Sequence, residues 1–200
     1  MPGFTVNYKN TEPKYDSFFS EGSLGFRTKN TLKFKQIMKF LASVVESVNF
    51  EFNSDGIKIQ SMSQSHISLI NMLIPVNMFQ TYNCGSGFVR GVNMKNLVQI
   101  FNHLKVSDEL VVRCENNCDA MDIYFLNDKY SKNYTLNLMD IDSEELDIHD
   151  LGDMTQITMD SKYFNEILSD FSDIGEQIRI KILESKEKIS LKCDGSFTNL

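Results

Sequence analysis

The chain of 200 residues has a formal net charge of −7, with 42% hydrophobic and 24% charged residues, a composition typical of soluble globular proteins. No stretch approaches the ~20 apolar residues of a membrane-spanning helix, and the N-terminus lacks the charged start and apolar block of a secretory signal. These features exclude an integral membrane protein and predict a soluble, intracellular one. In a reducing compartment, Cys84, Cys114, Cys118 and Cys193 are most simply small apolar side chains.

Residues 1–25 show no clear structural period. Gly3, Pro13, Gly22 and Gly25 interrupt them, and neither alternation nor helical spacing emerges. They are interpreted as an N-terminal extension of uncertain order.

A unit of one helix followed by one β-hairpin begins after this extension. Apolar residues at helical spacing predict a helix over Leu32–Val48 that packs on one face. The helix leads into a hairpin in which Asp55 and Gly56 supply the positive φ angles of a tight turn, with alternating apolar residues on both sides.

The same unit recurs twice. The second copy has an apolar helical stripe from Met94 to Leu104 and a hairpin over residues 109–126. The third has a helix capped by Asp160 or Ser161 and alternating strands over residues 177–193. Further strands are predicted over residues 66–75 and 87–92. The predicted fold class is therefore α+β, with a mainly antiparallel sheet and the helices on one face.

Residues 138–153 differ from the rest in charge. They contain seven carboxylates and no Lys or Arg, which equals the net charge of −7 of the whole chain. Apolar residues recur between the acids, which favours an extended strap with one apolar edge, although a solvated tether is the simpler alternative. The segment is interpreted as the loop that connects a first domain over 26–137 with a second over 154–200.

The polar faces of the first two predicted helices are basic. The first carries Lys33, Lys35 and Lys39, and the second carries Lys95, with Lys105 just beyond it. A basic face on an acidic protein suits attraction to a phosphate backbone. A single lysine-rich helix is more often only a solvated surface, but the repetition on two helices weakens that alternative.

Four segments resemble, in order and spacing, the sliding clamp family of proliferating cell nuclear antigen. They are QSMSQSHISL, FQTYNC, GVNMKNLVQIF and LMDIDSEELDI, at residues 60–69, 79–84, 91–101 and 138–148. The resemblance extends from Phe26 to the last residue. It implies the DNA clamp (processivity) fold, in which subunits of two similar domains form a ring with helices lining a hole for duplex DNA. The implied function is that of a DNA polymerase processivity factor, which is not an enzyme and has no catalytic residue, metal or cofactor.

The resemblance also implies three sets of site residues. The DNA-facing set is Arg27, Lys33, Lys35, Lys39, Lys95, Gln99, Asn102 and Lys105. The partner-peptide pocket, between the connecting loop and the sheet, is Met62, His66, Ile67, Leu69, Leu146 and Ile148. The subunit interface, where edge strands of neighbouring subunits meet, includes Tyr130, Lys132, Tyr134, Leu191 and Cys193.

Partners follow from the same resemblance. They are duplex DNA bound without sequence preference, a DNA polymerase, an ATP-dependent clamp loader and other proteins that carry a clamp-binding peptide. A nuclear location is implied, or a viral replication site if the chain is virus-encoded, with a homotrimer as the full-length form. No membrane contact is expected.

Two departures from the family change these expectations. Gln36, Ala42, Gln99 and Asn102 stand where lysines are common, so weaker attraction to DNA is expected. Family members continue through a fourth helix–hairpin unit, whereas this chain ends at Leu200. We therefore expect an incomplete second domain, in a fragment or a natural short form, and monomers or ill-defined aggregates rather than trimers of these residues alone.

Two other classes of function stay open. A non-encircling adaptor, or a fragment, would keep the peptide pocket without enclosing DNA. An enzyme would need Asp140 and Asp142 as a metal pair, or Cys114 and Cys118 with a histidine as a zinc or nucleophile site. The histidines are scattered along the chain, so a structural role for these residues is favoured.

Overall fold

The computed structural model describes residues 4–8 (backbone only), 23–84, 87–115, 118–142, 156–183 and 188–195. The chain divides into two units, Met1–Asp147 and Ile148–Leu200. Each unit combines helix with antiparallel strands, which confirms the predicted α+β class.

Two antiparallel sheets, two α-helices and a short 3-10 turn at Val76–Met78 make up the regular structure in the described part of the first unit. Its elements are β1 (Phe4–Tyr8), β2 (Leu24–Thr28), α1 (Thr31–Val44), β3 (Ser47–Asn53), β4 (Gly56–Met62), β5 (Leu69–Pro75), β6 (Thr81–Asn83), β7 (Phe88–Asn93), α2 (Met94–Phe101), β8 (Glu109–Cys114), β9 (Ala120–Leu126) and β10 (Tyr130–Asn137). The larger sheet has the strand order β1-β10-β9-β8-β2-β6, and the smaller has the order β5-β4-β3-β7.

The two helices pack against each other and against the sheets. On α1, Phe34 and Met38 are buried one turn apart, as expected for a helix with one apolar stripe. On α2, the side chain of Asn93 accepts a hydrogen bond from the Asn96 amide at 3.0 Å and so caps the helix N-terminus. The rings of Phe34 and Phe101 lie 5.9 Å apart, which places the helices side by side.

One apolar core joins both sheets to both helices. Phe26 of β2, Phe52 of β3, Leu97 of α2 and Ile123 of β9 are among the residues that line a cavity of about 20 Å³, which has room for one water molecule at most. Phe101 is only 1% exposed in this core, and replacing such a phenylalanine with alanine commonly costs ~3–5 kcal/mol. The helices are therefore held firmly on the sheets.

The first helix is shorter than predicted. It ends at Val44, because Val45 has extended backbone angles of φ −129° and ψ 142° and Val48 already belongs to β3. Both residues are buried, at 4% and 1% exposure, so the strand continues the apolar spacing of the helix. The prediction of helix over Leu32–Val48 was wrong at its C-terminal end, where β-branched residues favour the strand.

The turn between β3 and β4 also differs from the prediction in one detail. Gly56 has a φ of 141°, but Asp55 is not in the left-handed region. The side chain of Asn53 accepts hydrogen bonds from the Asp55 and Gly56 amides at 2.9 and 3.2 Å. This Asx turn closes the hairpin with a positive φ at the glycine alone.

Strand β1 lies in the stretch for which no element was predicted. It pairs antiparallel with β10, from Phe4 opposite Tyr134 to Tyr8 opposite Tyr130. The available signal was the alternation in FTVNY, which the surrounding glycines and proline obscured. The interpretation of the whole of residues 1–25 as lacking a period therefore missed a strand.

The second unit contains one helix and one hairpin in its described residues: α3 (Ser161–Ser172), β11 (Ile178–Ile182) and β12 (Ile189–Cys193). The Asp160 side chain accepts hydrogen bonds from the Lys162 and Tyr163 amides at 2.9 and 3.1 Å, which confirms the predicted cap. The buried thiol of Cys193 donates to the carbonyl oxygen of Phe171 at 3.6 Å, and this contact links β12 to the end of α3.

Candidate DNA-facing and partner-binding surfaces

The exposed sides of α1 and α2 form a surface that we call the basic surface. Neither helix contains Asp or Glu, and because the two helices pack side by side, their exposed side chains share one face of the unit. Its members are all exposed: Lys33, Lys39, Lys95 and Gln99 on the helices, and Asn102 and Lys105 just after α2. A surface of a single charge sign raises the local concentration of anionic ligands.

Lys35 has a second role within this surface. Its Nζ donates hydrogen bonds to the carbonyl oxygens of Asn102 at 3.2 Å and Leu104 at 3.0 Å, which follow the C-terminus of α2. A cation is favourable at the negative end of a helix dipole. Burial, and secondarily the neighbouring charge of Lys39, lowers the pKa of Lys35. Lys35 therefore joins the two helices as well as adding charge beside them.

Arg27 is placed differently from the lysines. It lies on β2, and its guanidinium pairs with the Glu109 carboxylate: Nη2 donates a hydrogen bond to Oε2 at 2.9 Å, and Nε lies 2.7 Å from Oε1. The side chains of the two residues are 24% and 9% exposed. A charge-assisted hydrogen bond of this kind fixes orientation and neutralises the charge. Arg27 therefore makes a structural contact on β2, outside the two helices that form the basic surface, and its DNA-facing role stays a prediction.

The loop between β4 and β5 holds part of the predicted peptide pocket. Ser63 closes it, since its amide donates to the Ser68 carbonyl at 2.8 Å and its carbonyl accepts from the His66 amide at 2.8 Å. His66 takes a positive φ of 55°, and its Nδ1 lies 3.1 Å from the Met62 sulfur. This tight loop leaves Ile67 85% exposed, an unusual position for a large apolar side chain.

Strand β5 continues this apolar surface. Leu69 and Leu73 are 41% and 51% exposed, whereas Ile70 and Ile74 on the other face of the strand are 7% and 2% exposed. Met62 is the cross-strand partner of Leu69. The exposed residues therefore face away from the core and the helices, and we call Met62, Ile67, Leu69 and Leu73 the apolar strip. Sequence analysis missed Leu73, although the alternation along β5 could have identified it.

The remaining predicted pocket residues, Leu146 and Ile148, lie outside the described residues. The beginning of the connecting segment is described, and it is fixed to the smaller sheet. The Met139 amide donates to the Gly91 carbonyl at 2.8 Å, and the Asn49 side-chain amide donates to the Ile141 carbonyl at 3.0 Å. These bonds anchor residues 139–141 to β7 and β3, in line with an extended strap at this point.

The predicted interface residues of β10 lie on one side of the strand, beside the end of α2. The Tyr130 hydroxyl donates to Asp108 Oδ1 at 2.9 Å, and Lys132 Nζ lies 4.6 Å from the centre of the Tyr130 ring, a cation–π distance. Burial, and secondarily the hydrogen bond to Asp108, raises the pKa of Tyr130. Tyr134 is buried, with its ring 5.0 Å from that of Phe125.

The other predicted interface residues lie on β12 in the second unit. Leu191 pairs with Ile180 of β11 and is half-buried. Cys193 is fully buried at 0% exposure, so only its backbone can take part in a contact at the strand edge.

Metal ligation, as considered for the enzyme alternative, can be checked in the described ranges. No group of three or more His, Cys, Asp or Glu side chains that could hold a metal ion occurs there. Of the two cysteines considered for zinc, Cys114 is buried and Cys118 is exposed. Across the same ranges, no helix is both long and apolar enough to cross a membrane.

Comparisons with known proteins agree with this geometry. The family model for the N-terminal domain of proliferating cell nuclear antigen matches residues 24–146. The proliferating cell nuclear antigen of Chaetomium thermophilum is 29% identical over 167 residues, which cover 82% of this chain and 64% of that protein. The chain therefore spans less than two thirds of that relative's length.

The fold has a counterpart among solved structures. The crystal structure of the proliferating cellular nuclear antigen of Entamoeba histolytica matches with a TM-score of 0.76 and 28% identity, covering 89% of this chain and 71% of that one. This match confirms the predicted DNA clamp fold, and the family model covers more than half of the chain. The chain belongs to the proliferating cell nuclear antigen family.

Proposed function

We propose that the protein acts as a sliding clamp, a DNA polymerase processivity factor that encircles duplex DNA as a ring of subunits and tethers replication and repair proteins. The observation that carries the proposal is the basic surface: two adjacent helices without a single acid on a chain whose net charge is −7. Mobile lysine contacts to phosphates give attraction without reading sequence. Weak contacts of this kind hold the ring near DNA and let it slide.

The apolar strip supports the tethering half of the proposal. It lies on the outward face of β4 and β5, away from the helices, so a bound partner would not occupy the DNA side. A row of exposed aliphatic side chains suits a short peptide with a hydrophobic anchor. The proposed occupants are peptides of a DNA polymerase, of an ATP-dependent clamp loader and of other clamp-binding proteins, in the nucleus.

The edge of β10 and the edge of β12 are the proposed contacts between subunits of a homotrimer. Residues Tyr130, Lys132 and Tyr134 belong to the first edge, and Leu191 and Cys193 to the second. Strand-to-strand pairing of this kind relies on backbone hydrogen bonds, which any sequence can supply.

DNA binding over a series of salt concentrations tests the proposal. Replacement of Lys33, Lys39 or Lys95 with alanine should each lower the slope of log affinity against log salt by about one unit at most, for any DNA sequence. Lys58→Ala is the matched control, because Lys58 lies on β4 beside Glu51 at 3.6 Å, away from the helices. Binding that does not change with salt would contradict the proposal.

Encirclement needs a separate measurement. With a clamp loader and ATP, a ring should stay on circular plasmid DNA during gel filtration and be lost when the plasmid is linearised, because a ring slides off free ends. A protein that binds clamp-binding peptides but is not retained on circular DNA would be the non-encircling adaptor instead.

A further inference from the structure

Strand β1 covers the outer edge of β10 within the same chain. All five residues of β1 are paired with β10. The pairs are Phe4 with Tyr134, Thr5 with Asn133, Val6 with Lys132, Asn7 with Ser131, and Tyr8 with Tyr130. On its other side β10 pairs with β9, from Ser131 opposite Leu126 to Asn137 opposite Ala120. β10 is therefore an internal strand of the sheet along most of its length.

This arrangement leaves little room for another strand. Each backbone amide and carbonyl of an antiparallel strand points to one neighbour or the other, and groups already paired offer no free donor or acceptor to a third strand. The stretch from Tyr130 to Tyr134, which holds the three interface residues predicted on β10, is the stretch that β1 occupies.

β1 is also a strand that could leave at a small cost. It is five residues long and lies at the end of the sheet order, and short terminal elements open with free energies well below that of global unfolding. Residues 9–23 join it to β2, a length of chain that can extend over roughly 50 Å.

We infer that β1 is an intramolecular competitor for the β10 edge, and that a second copy of this chain pairs there only after β1 has detached. The inference rests on the proposed function, in which the same edge joins neighbouring subunits. When only a fraction of the molecules is in the binding-competent state, the apparent affinity is the intrinsic affinity multiplied by that fraction. If the β10 edge is open in ~10% of molecules, the chains therefore associate about tenfold more weakly. β1 thereby sets the concentration at which copies assemble.

The test removes the pairing capacity of β1 in the full chain. Successive amides of a strand point to opposite sides, so the double variant Thr5→Pro with Val6→Pro removes at least one amide that faces β10. We expect faster hydrogen exchange at the amides of 130–134, unchanged exchange in β8, and a dissociation constant for self-association lowered about tenfold in sedimentation experiments. Asn10→Pro with Thr11→Pro, outside the paired residues, is the matched control.

A milder variant tests the same inference in case the proline variant misfolds. Thr5→Gly with Val6→Gly keeps both amides but weakens strand formation, and should shift exchange and association in the same direction by a smaller factor. In the associated form, the amides of 130–134 should regain protection, because a strand of the second copy replaces β1.

Three results would overturn the inference. They are unchanged exchange at β10 in the proline variant, faster exchange without tighter self-association, and tighter association in which the β10 amides stay unprotected. The DNA salt series compares lysine variants that all keep the native β1, so failure of the competition and failure of the clamp function give different patterns.

Discussion

Gly91 and Met139 are joined by a backbone hydrogen bond of 2.8 Å, from the Met139 amide to the Gly91 carbonyl. A Cβ atom added at Gly91 would overlap the Met139 carbonyl oxygen and press on the Ile141 side chain. The close approach of the connecting segment to β7 therefore requires glycine at this position. Residues 139–141 carry the segment toward the proposed peptide pocket, so the fit at Gly91 bears on partner binding.

Gly91→Ala should displace the start of the connecting segment. We expect faster hydrogen exchange at the Met139 amide and weaker binding of a clamp-binding peptide, by about threefold to tenfold, with the core of the unit intact. Gly87→Ala is the control, because its Cβ would meet only the Phe52 carbonyl at 3.4 Å, an ordinary contact. Equal hydrogen exchange and equal peptide affinity in the two variants would show that the contact between Gly91 and Met139 does not contribute to peptide binding.

Ile67→Ser with Leu69→Ser should weaken capture of a clamp-binding peptide by tenfold or more, because truncation of an anchor contact commonly costs over ~1 kcal/mol. Both side chains are exposed, at 85% and 41%, so the free energy of unfolding should change little. Titration calorimetry gives the affinity. Val106→Ser, at a side chain that is 72% exposed elsewhere on the unit, is the matched control.

The same assay applies to Leu146 and Ile148, which stay predictions. Polar replacement of both should abolish peptide capture without unfolding the protein. Unchanged affinity in that variant would place the pocket elsewhere.

Arg27→Met should lower stability rather than DNA affinity. The substitution leaves the Glu109 carboxylate, which is 9% exposed, without its charged partner, and we expect a loss of about 1–3 kcal/mol, below the ~3–5 kcal/mol of a fully buried pair. Urea unfolding measures the loss, and the salt slope of DNA binding should not change. Lys33→Met should show the reverse pattern. A stable Arg27→Met protein with a lower salt slope would instead support Arg27 as a DNA-facing residue.

Asp108→Ala should destabilise the first unit by about 2–3 kcal/mol, because a buried carboxylate that accepts several hydrogen bonds is lost. Its Oδ1 accepts from the Asn127 side chain at 2.7 Å and the Tyr130 hydroxyl at 2.9 Å, and its Oδ2 accepts from the Lys105 amide at 3.1 Å. Asp128→Ala, in the exposed turn after β9, should stay within ~0.5 kcal/mol of the parent. Equal urea midpoints for both variants would contradict this role.

Periodicity predicted the elements that bury one face. The stripe of α2 and the alternation of β5 were both readable, since burial repeats with the geometry of a helix or a strand. The end of α1 was not readable, because Val45 and Val48 continue the apolar spacing in an extended backbone.

Contacts between distant residues were beyond sequence reasoning. Arg27 was assigned to DNA by its position in the family resemblance, but its partner Glu109 lies 82 residues away. Lys35 likewise reaches the carbonyl of Leu104 across 69 residues. The charge of each residue was visible in the sequence, whereas the group that it neutralises or caps was set only by folding.

The larger sheet ends in a strand of five residues on one side, β1, and of three residues on the other, β6. Short edge strands protect against amyloid-like stacking, because an incoming chain finds few backbone groups to pair with. Without β1, the eight residues of β10 would form the edge. Proteolytic removal of the first residues should therefore make the purified protein aggregate sooner. Turbidity and thioflavin fluorescence should rise earlier than in the intact protein.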